Sequence, residues 1–140
     1  PGLENAEFVR YGVMHQNTFL QSPKLLDKYY ADRRNPLVAF AGQMTGVEGY
    51  VESTASGYLA AVAMAAKVQG RELPDFPKET AIGALGQYVS DESIENFQPM
   101  NINFSIIAPL EKRIRKKAEK NLAIAARSLD VIDRLVAKGI

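Results

Sequence analysis

The most informative segment of the chain is Phe40-Ala41-Gly42-Gln43-Met44-Thr45-Gly46-Val47-Glu48-Gly49-Tyr50-Val51-Glu52-Ser53. Its three glycines follow a short apolar run and precede a series of small residues, which predicts a strand end, a loop and a helix start. Glycine lets the backbone approach a ligand closely, and the first turn of a helix offers free N–H groups to an anion such as phosphate. The pattern indicates a nucleotide-binding loop. The pattern alone leaves open a tight strand-to-helix turn without a ligand.

The sequence on either side of this loop predicts an α/β fold. Residues 37–41 are continuously apolar, as expected for a strand that is buried on both faces. A helix with a first half of small residues is predicted from Tyr50 to Gln69, where Gly70 would end it. Before the loop, residues 7–19 mix aromatic and β-branched side chains, which predicts extended chain with an irregular tip at residues 15–18.

A second, mostly helical part is predicted after a proline-containing linker at residues 73–77. Thr80 can cap a short helix that reaches about Ser90. A long helix is predicted from about Glu111 to Lys138. Its apolar side chains recur at helical spacing, which predicts a buried stripe formed by Leu122, Ala125, Leu129, Ile132 and Val136.

Composition excludes several classes of protein. With 140 residues, 46% of them apolar, the chain can form one compact domain with a core. It has no apolar run of about 20 residues, the length of a membrane span. The absence of cysteine excludes disulfides and thiolate metal sites. The formal net charge of +1 does not by itself predict a nucleic-acid partner.

Few residues in the sequence have the spacing of a catalytic or metal-binding motif. The sequence contains no Ser-His-Asp arrangement, metal-ligand spacing or paired carboxylates, so we expect no catalytic residue and no metal site in it. His15 is the only histidine, and a lone histidine is more often structural or exposed than functional. A run of cations is usually a solvated helix face; this chain has one, formed by Lys112, Arg113, Arg115, Lys116, Lys117 and Lys120.

The identities of the residues in these motifs are more informative about the family than the number of glycines. The loop contributes Phe40-Ala41-Gly42-Gln43, Gly46, Gly49-Tyr50 and Glu52-Ser53. Upstream lie Ala6-Glu7-Phe8-Val9-Arg10-Tyr11-Gly12-Val13-Met14-His15 and Asn17-Thr18-Phe19. Downstream lie Asn96-Phe97-Gln98-Pro99-Met100-Asn101, Asn103-Phe104 and Ala108-Pro109-Leu110-Glu111-Lys112. In this order they resemble the C-terminal flavin-binding segment of the folate- and FAD-dependent tRNA (uracil-5-)-methyltransferases, the TrmFO (Gid) family, which is related to GidA/MnmG.

The resemblance implies an enzyme that methylates the T-loop uridine of tRNA, with FAD as cofactor, methylenetetrahydrofolate as methylene donor and NAD(P)H as reductant. It implies that residues 1–70 are the C-terminal portion of a Rossmann-like FAD-binding domain and that residues 71–140 are a mostly helical extension. The family is about three times longer and opens with a GxGxxG fold, which this chain lacks. We therefore expect a C-terminal fragment or a shortened chain, with a processed small protein as the alternative.

The resemblance also assigns roles to residues. Cofactor binding falls on Gly42, Gln43, Met44, Thr45, Gly46, Val47, Gly49 and Tyr50. Folate binding falls on His15, Asn17 and Thr18, and contact with tRNA phosphates on Lys112, Arg113, Arg115 and Lys116. The cysteine nucleophiles of the family would lie outside this chain, so the fragment alone should be inactive.

The implied partners are tRNA and the N-terminal part of the same protein, in the cytoplasm and without a membrane. An exposed sheet edge would permit self-association. Two alternatives remain: a fragment of a GidA/MnmG-type enzyme that modifies the wobble uridine of tRNA, and a stand-alone helical RNA-binding or scaffold module.

Overall fold

The computed structural model describes residue 2, residues 4–7, residue 12 and residues 18–139. The predicted folate-binding residues His15 and Asn17, and most of the expected extended segment 7–19, lie outside the described residues. The described chain contains four α-helices and one 3-10 helix, which lies at Gly42–Thr45. The α-helices are α1 (Ser22–Leu25), α2 (Tyr50–Val68), α3 (Ala81–Val89) and α4 (Lys117–Ala137). No helix in these ranges is both long enough and apolar enough to cross a membrane.

Strand pairing in the described ranges is limited to three isolated β-bridges, Leu26–Asp32, Ala31–Ala39 and Val47–Met100. The predicted strand at residues 37–41 is wrong, because Leu37 and Val38 are 67% and 40% exposed and the segment forms part of a turn. Apolar character predicts burial only where neighbouring strands cover both faces. Here the segment is paired with the chain before it, where the Phe40 N–H donates to the Tyr30 carbonyl at 3.0 Å, and only its end, Ala41, lies close to α2, at Gly57. The sheet edge expected to permit self-association is therefore not formed in this part of the chain.

Helix α2 is confirmed. It begins after Gly49 and ends one residue before the predicted end, and Gly70 adopts a φ of +66° just beyond it. Its buried face consists mainly of small side chains, Ser56, Leu59, Ala60, Ala63 and Ala66. Small side chains let the helix axis approach its neighbours closely, which is how α2 packs against both the 3-10 helix and α3.

Helix α3 is also confirmed, with Thr80 as its cap: the Gly83 N–H donates to Thr80 Oγ1 at 3.1 Å. Gly83 and Gly86 are buried, and a Cβ on either would collide with a backbone carbonyl. The main core lies between α2, α3 and the loops around them, and it is formed by Tyr30, Val47, Leu59, Ala60, Phe76, Leu85, Val89 and Phe97. It contains residues from both sides of the expected boundary at residue 70.

Helix α4 is present but differs from the prediction in its start and in its buried face. It begins at Lys117 rather than near Glu111. The predicted stripe is wrong at Leu122, Leu129 and Val136, which are 71%, 64% and 62% exposed, whereas its member Ile132 is half-buried and packs against the main core. The fully buried residue is instead Ile124, which packs with Ala84 and Ile107.

The orientation of α4 has a polar cause. Arg127 donates from Nη1 to the Pro109 carbonyl at 2.7 Å and from Nη2 to the Ala108 carbonyl. A guanidinium that binds two carbonyls of the preceding loop fixes the rotation of the helix about its axis. The face that carries Ile124 and Arg127 is turned inward, Ile132 and Leu135 also pack against the main core, and Leu122, Leu129 and Val136 are left exposed.

Candidate functional site

The glycine-rich loop is held by hydroxyl groups of α2. The Gly42 N–H donates to Ser56 Oγ at 2.8 Å, and Ser56 Oγ donates to the Ser53 carbonyl at 2.7 Å. Inside the loop, Thr45 Oγ1 donates to the Gly42 carbonyl at 2.7 Å. Because Ser56 and Thr45 are 1% and 0% exposed, these bonds are shielded from water and fix the backbone of the 3-10 helix.

The chain around α1 also holds the loop in place through two hydrogen bonds. Ser22 Oγ donates to the Thr45 carbonyl at 2.9 Å, and the Leu20 N–H donates to the Met44 carbonyl at 2.8 Å. Ser22 is completely buried. Two carbonyls of the loop are therefore already paired within the protein.

The three glycines of the loop have different structural roles. All have positive φ angles, +70° at Gly42, +84° at Gly46 and +92° at Gly49. A Cβ at Gly46 would collide with the Phe97 ring, and one at Gly49 would collide with the Glu52 carboxylate. A Cβ at Gly42 would only touch Ser53, at 3.4 Å. The Phe97 ring therefore explains Gly46, the positive φ is the stronger requirement at Gly49 because Glu52 is flexible, and Gly42 is the glycine with room beside it.

The predicted cofactor-binding residues divide by exposure. Thr45, Gly46 and Val47 are buried, whereas Gln43 and Gly49 are exposed and Gly42 is half-buried. Met44 is 52% and Tyr50 is 97% exposed. The outer surface of the loop therefore presents an amide, a thioether and an aromatic ring.

Exposed apolar side chains are frequent in the part of the sequence that contains this loop. In the part of the chain that the structure describes, six of the eleven large exposed apolar side chains lie between residues 37 and 58: Leu37, Val38, Met44, Tyr50, Val51 and Tyr58. The sequence does not reveal the exposure of these side chains, because its pattern predicts Leu37 and Val38 in a buried strand and Val51 and Tyr58 in a packed helix.

A second motif segment, residues 96–104, lies directly against the loop. The Met100 N–H donates to the Gly46 carbonyl at 3.0 Å, and the Glu48 N–H donates to the Met100 carbonyl at 3.1 Å. Glu52 Oε1 accepts from the Ile102 N–H at 3.4 Å. Two stretches that carry the family resemblance, about 50 residues apart in sequence, are thus parts of one site.

The basic run near residue 115 forms a wall of a cavity of about 810 Å³. Of the predicted tRNA-binding residues, Arg113 and Arg115 line this cavity, and Lys117 and Lys120 join them there. Lys112 does not line it, and Lys116 forms an ion pair with Glu119 at 2.9 Å. The predicted cluster therefore contains two cations that face the cavity and two that do not.

The remaining chemistry-bearing residues are dispersed. Thr18, the one predicted folate-binding residue that is described, is exposed. In the described ranges no group of three or more His, Cys, Asp or Glu side chains is placed to hold a metal ion. Hydrogen bonds from Ser93 lower the pKa of Asp91, and a hydrogen bond to Asp75 raises the pKa of Lys28. Burial raises the pKa of Tyr30.

Comparison with known proteins gives consistent matches. The family model of glucose inhibited division protein A matches residues 1–72. The methylenetetrahydrofolate–tRNA-(uracil-5-)-methyltransferase TrmFO of Acetivibrio thermocellus is 55% identical over 138 residues, 99% of this chain and 32% of the relative. The proteins of the same name from Bacillus cereus and Natranaerobius thermophilus are 56% and 54% identical, over 97% and 99% of this chain and 31% and 32% of the relatives.

The chain thus spans about a third of the length of these relatives. The family model covers the glycine-rich loop and α2, and it extends over more than half of the 140 residues. The chain therefore belongs to the glucose inhibited division protein A family.

Proposed function

We propose that this chain is the flavin-loop part of an enzyme that methylates the T-loop uridine of tRNA to 5-methyluridine, using FAD and methylenetetrahydrofolate. The observation that carries this proposal is 55% identity over 99% of the chain to a protein named as such a methyltransferase. That match covers 138 of the 140 residues, so it extends well beyond residue 72, where the family model ends. This extent supports the methyltransferase over the wobble-uridine enzyme and over a stand-alone helical module.

The loop residues fit a flavin nucleotide. Gly42 leaves room for close backbone approach, and the exposed Gln43 amide can both donate to and accept from polar atoms of the cofactor. Met44 and Tyr50 would cover apolar ring surface and exclude water. Bound FAD would supply the electron transfer that reduces the one-carbon unit, with NAD(P)H as the source of electrons. The role of this chain is to bind and orient the cofactor.

The exposed apolar side chains around the loop support the proposal that more protein packs there. In this proposal, residues 1–70 complete a Rossmann-like FAD-binding domain, and the N-terminal part of the protein covers Leu37 and Val38. The catalytic cysteines lie in that part, since this chain has no cysteine. His15, Asn17 and Thr18 hold the pterin of the folate, with His15 as a stacking surface. The working environment is the cytoplasm, where tRNA is found.

A chimeric enzyme tests the proposal. The corresponding third of the Bacillus cereus relative is replaced by this chain, and the chimera is expressed in a bacterium that lacks tRNA 5-methyluridine. Mass spectrometry of tRNA nucleosides should then detect 5-methyluridine, and the purified chimera should be yellow. A folded chimera that binds no FAD and forms no 5-methyluridine contradicts the proposal. If wobble-uridine products appear instead, the GidA/MnmG-type alternative is correct.

A further inference from the structure

The geometry points to a site for one unpaired RNA nucleotide in the cavity lined by Arg113, Arg115, Lys117 and Lys120. This inference rests on the proposed function, because that function makes RNA the partner. The cavity is separate from the glycine-rich loop and has a different lining. Its volume, about 810 Å³, is within the range of about 300–1,000 Å³ that is typical of small-ligand sites.

The cations of the cavity are free to bind phosphate. Among the residues that the structure describes, Arg113, Arg115, Lys117 and Lys120 form no ion pair, whereas the adjacent Lys116 is paired with Glu119. Four unpaired positive charges around one concave surface attract a polyanion and bind its phosphates. They supply affinity without reading the sequence of the RNA.

An aromatic residue lines the same cavity. Phe104 lies between it and an adjacent apolar cavity that Ile107 and Ile124 line, and it is 43% exposed. The turn that presents this ring is closed by Asn103, whose Oδ1 accepts from the Ser105 N–H at 2.9 Å and from the Ser105 hydroxyl. A ring held by a closed turn beside unpaired cations is the arrangement with which proteins stack unpaired bases. A base within a duplex has no free face for such stacking.

A polar side chain completes the lining. Asn121 of α4 lines the cavity, is half-buried and forms no side-chain hydrogen bond in the described ranges. An amide can donate to and accept from the edge of a base. Phosphate, stacking and edge recognition are therefore available together, which favours a nucleotide over a simple anion.

The cavity is close to the loop in the chain. Met100 pairs with the loop residue Val47, and Asn103 lines the cavity. Three residues span at most about 11 Å, so the two sites are near enough for one RNA molecule to reach both. A nucleotide held in the cavity would then hold the RNA beside the proposed flavin site.

Fluorescence anisotropy on the full-length chimera tests this inference. The probes are a labelled single-stranded octauridylate and a labelled RNA duplex of twelve base pairs. Loss of a stacked base costs about 1–3 kcal/mol, or about five- to 150-fold in affinity. Phe104→Ala should therefore weaken binding of the single strand by at least about fivefold and change duplex binding much less. Phe104→Tyr keeps a ring and should retain most of the affinity.

The charges are tested by salt dependence. Arg115→Ala should reduce the magnitude of the log–log salt slope for the single strand by about 0.7, the value expected for one lost phosphate contact. Arg134→Ala is the control for charge, since Arg134 is exposed on α4 and does not line the cavity. Leu122→Ala is the control for loss of exposed apolar surface. Neither control should change affinity or slope by comparable amounts.

Several results would overturn the inference. They are unchanged single-strand affinity in Phe104→Ala, equal losses for duplex and single strand, or losses in Phe104→Tyr as large as in Phe104→Ala. If uridine monophosphate binds as tightly as the octauridylate, the cavity is a mononucleotide site rather than an RNA site. Failure of the proposed function is recognised separately, because it appears as absent 5-methyluridine whatever the binding of these probes.

Discussion

Replacing Gly46 with alanine should destabilise the protein by two separable effects. Gly46 has a φ of +84°, a conformation that costs an L-residue about 1–2 kcal/mol. The new Cβ would also collide with the Phe97 ring, which is 3% exposed and packed against Phe19 and Tyr88. Overpacking of a filled core costs about 1–3 kcal/mol. The expected loss in the free energy of unfolding is therefore about 2–5 kcal/mol.

Gly70→Ala provides the matched control. Gly70 has a φ of +66°, but no atom lies within 4 Å of a Cβ placed there. This variant should lose only the conformational part, about 1–2 kcal/mol. Urea denaturation followed by far-ultraviolet circular dichroism measures both variants. With a slope of about 2 kcal/mol/M, a difference of about 2 kcal/mol between the variants places the Gly46→Ala midpoint about 1 M lower.

Combining Gly46→Ala with Phe97→Leu identifies the collision directly. The smaller side chain should remove part of the steric cost, so that the double variant is more stable than the sum of the single changes predicts, by about 1 kcal/mol. Strict additivity, or equal losses for Gly46→Ala and Gly70→Ala, would refute the reasoning that Phe97 occupies the place of a Cβ at Gly46.

Three further predictions test other parts of the structure. Tyr30→Phe should be neutral or stabilising near pH 7, because the buried Tyr30 hydroxyl has no hydrogen-bond partner among the described residues. Burial raises the pKa of Tyr30, so on raising the pH the unfolded state loses this proton before the folded state does. Above about pH 10 the free energy of unfolding of the wild type should therefore fall, relative to that of Tyr30→Phe, by up to about 1.4 kcal/mol per pH unit. Urea denaturation at several pH values measures this difference. In the same assay, Ile124→Ala should lower the free energy of unfolding by about 2–5 kcal/mol and Leu122→Ala by less than about 0.5 kcal/mol. The reverse order would show that the face with Leu122 is the buried face of α4. In the chimera, Met44→Glu should lower the absorbance ratio of FAD to protein while Val68→Glu, also at an exposed position, leaves it unchanged; equal ratios would remove Met44 from the flavin site.

Local signals in the sequence predicted local structure well. The bounds of α2 followed from its small residues and Gly70, and those of α3 from Thr80, because capping and backbone preferences involve residues a few positions apart. The predicted strand failed because burial of Leu37 and Val38 depends on surfaces that other parts of a protein must provide. Apolar spacing likewise could not decide which face of α4 is buried, since that depends on distant residues: Ile124 packs on Ala84 and Ile107, and Arg127 donates to two carbonyls of the preceding loop.

In the candidate site, too, features set by neighbouring residues could be predicted from the sequence, and features set by distant residues could not. The glycine-rich loop was found from sequence, but its contact with residues 96–104 was not, because pairing across about 50 residues leaves no periodic signal. The run of basic residues can be identified directly in the sequence. Its separation into cations that face the cavity and cations that do not requires the turn at Asn103 and the late start of α4.

The position of Phe97 against Gly46 affects how sequences of relatives should be interpreted. A descendant that had lost the flavin would still need a residue without a side chain at this position, since the requirement comes from the aromatic ring beneath it. Retention of the glycine at position 46 is therefore weak evidence that a homologue still binds the cofactor. Substitutions at the exposed positions 43, 44 and 50, where the fold does not require a particular side chain, would be earlier evidence that cofactor binding has been lost.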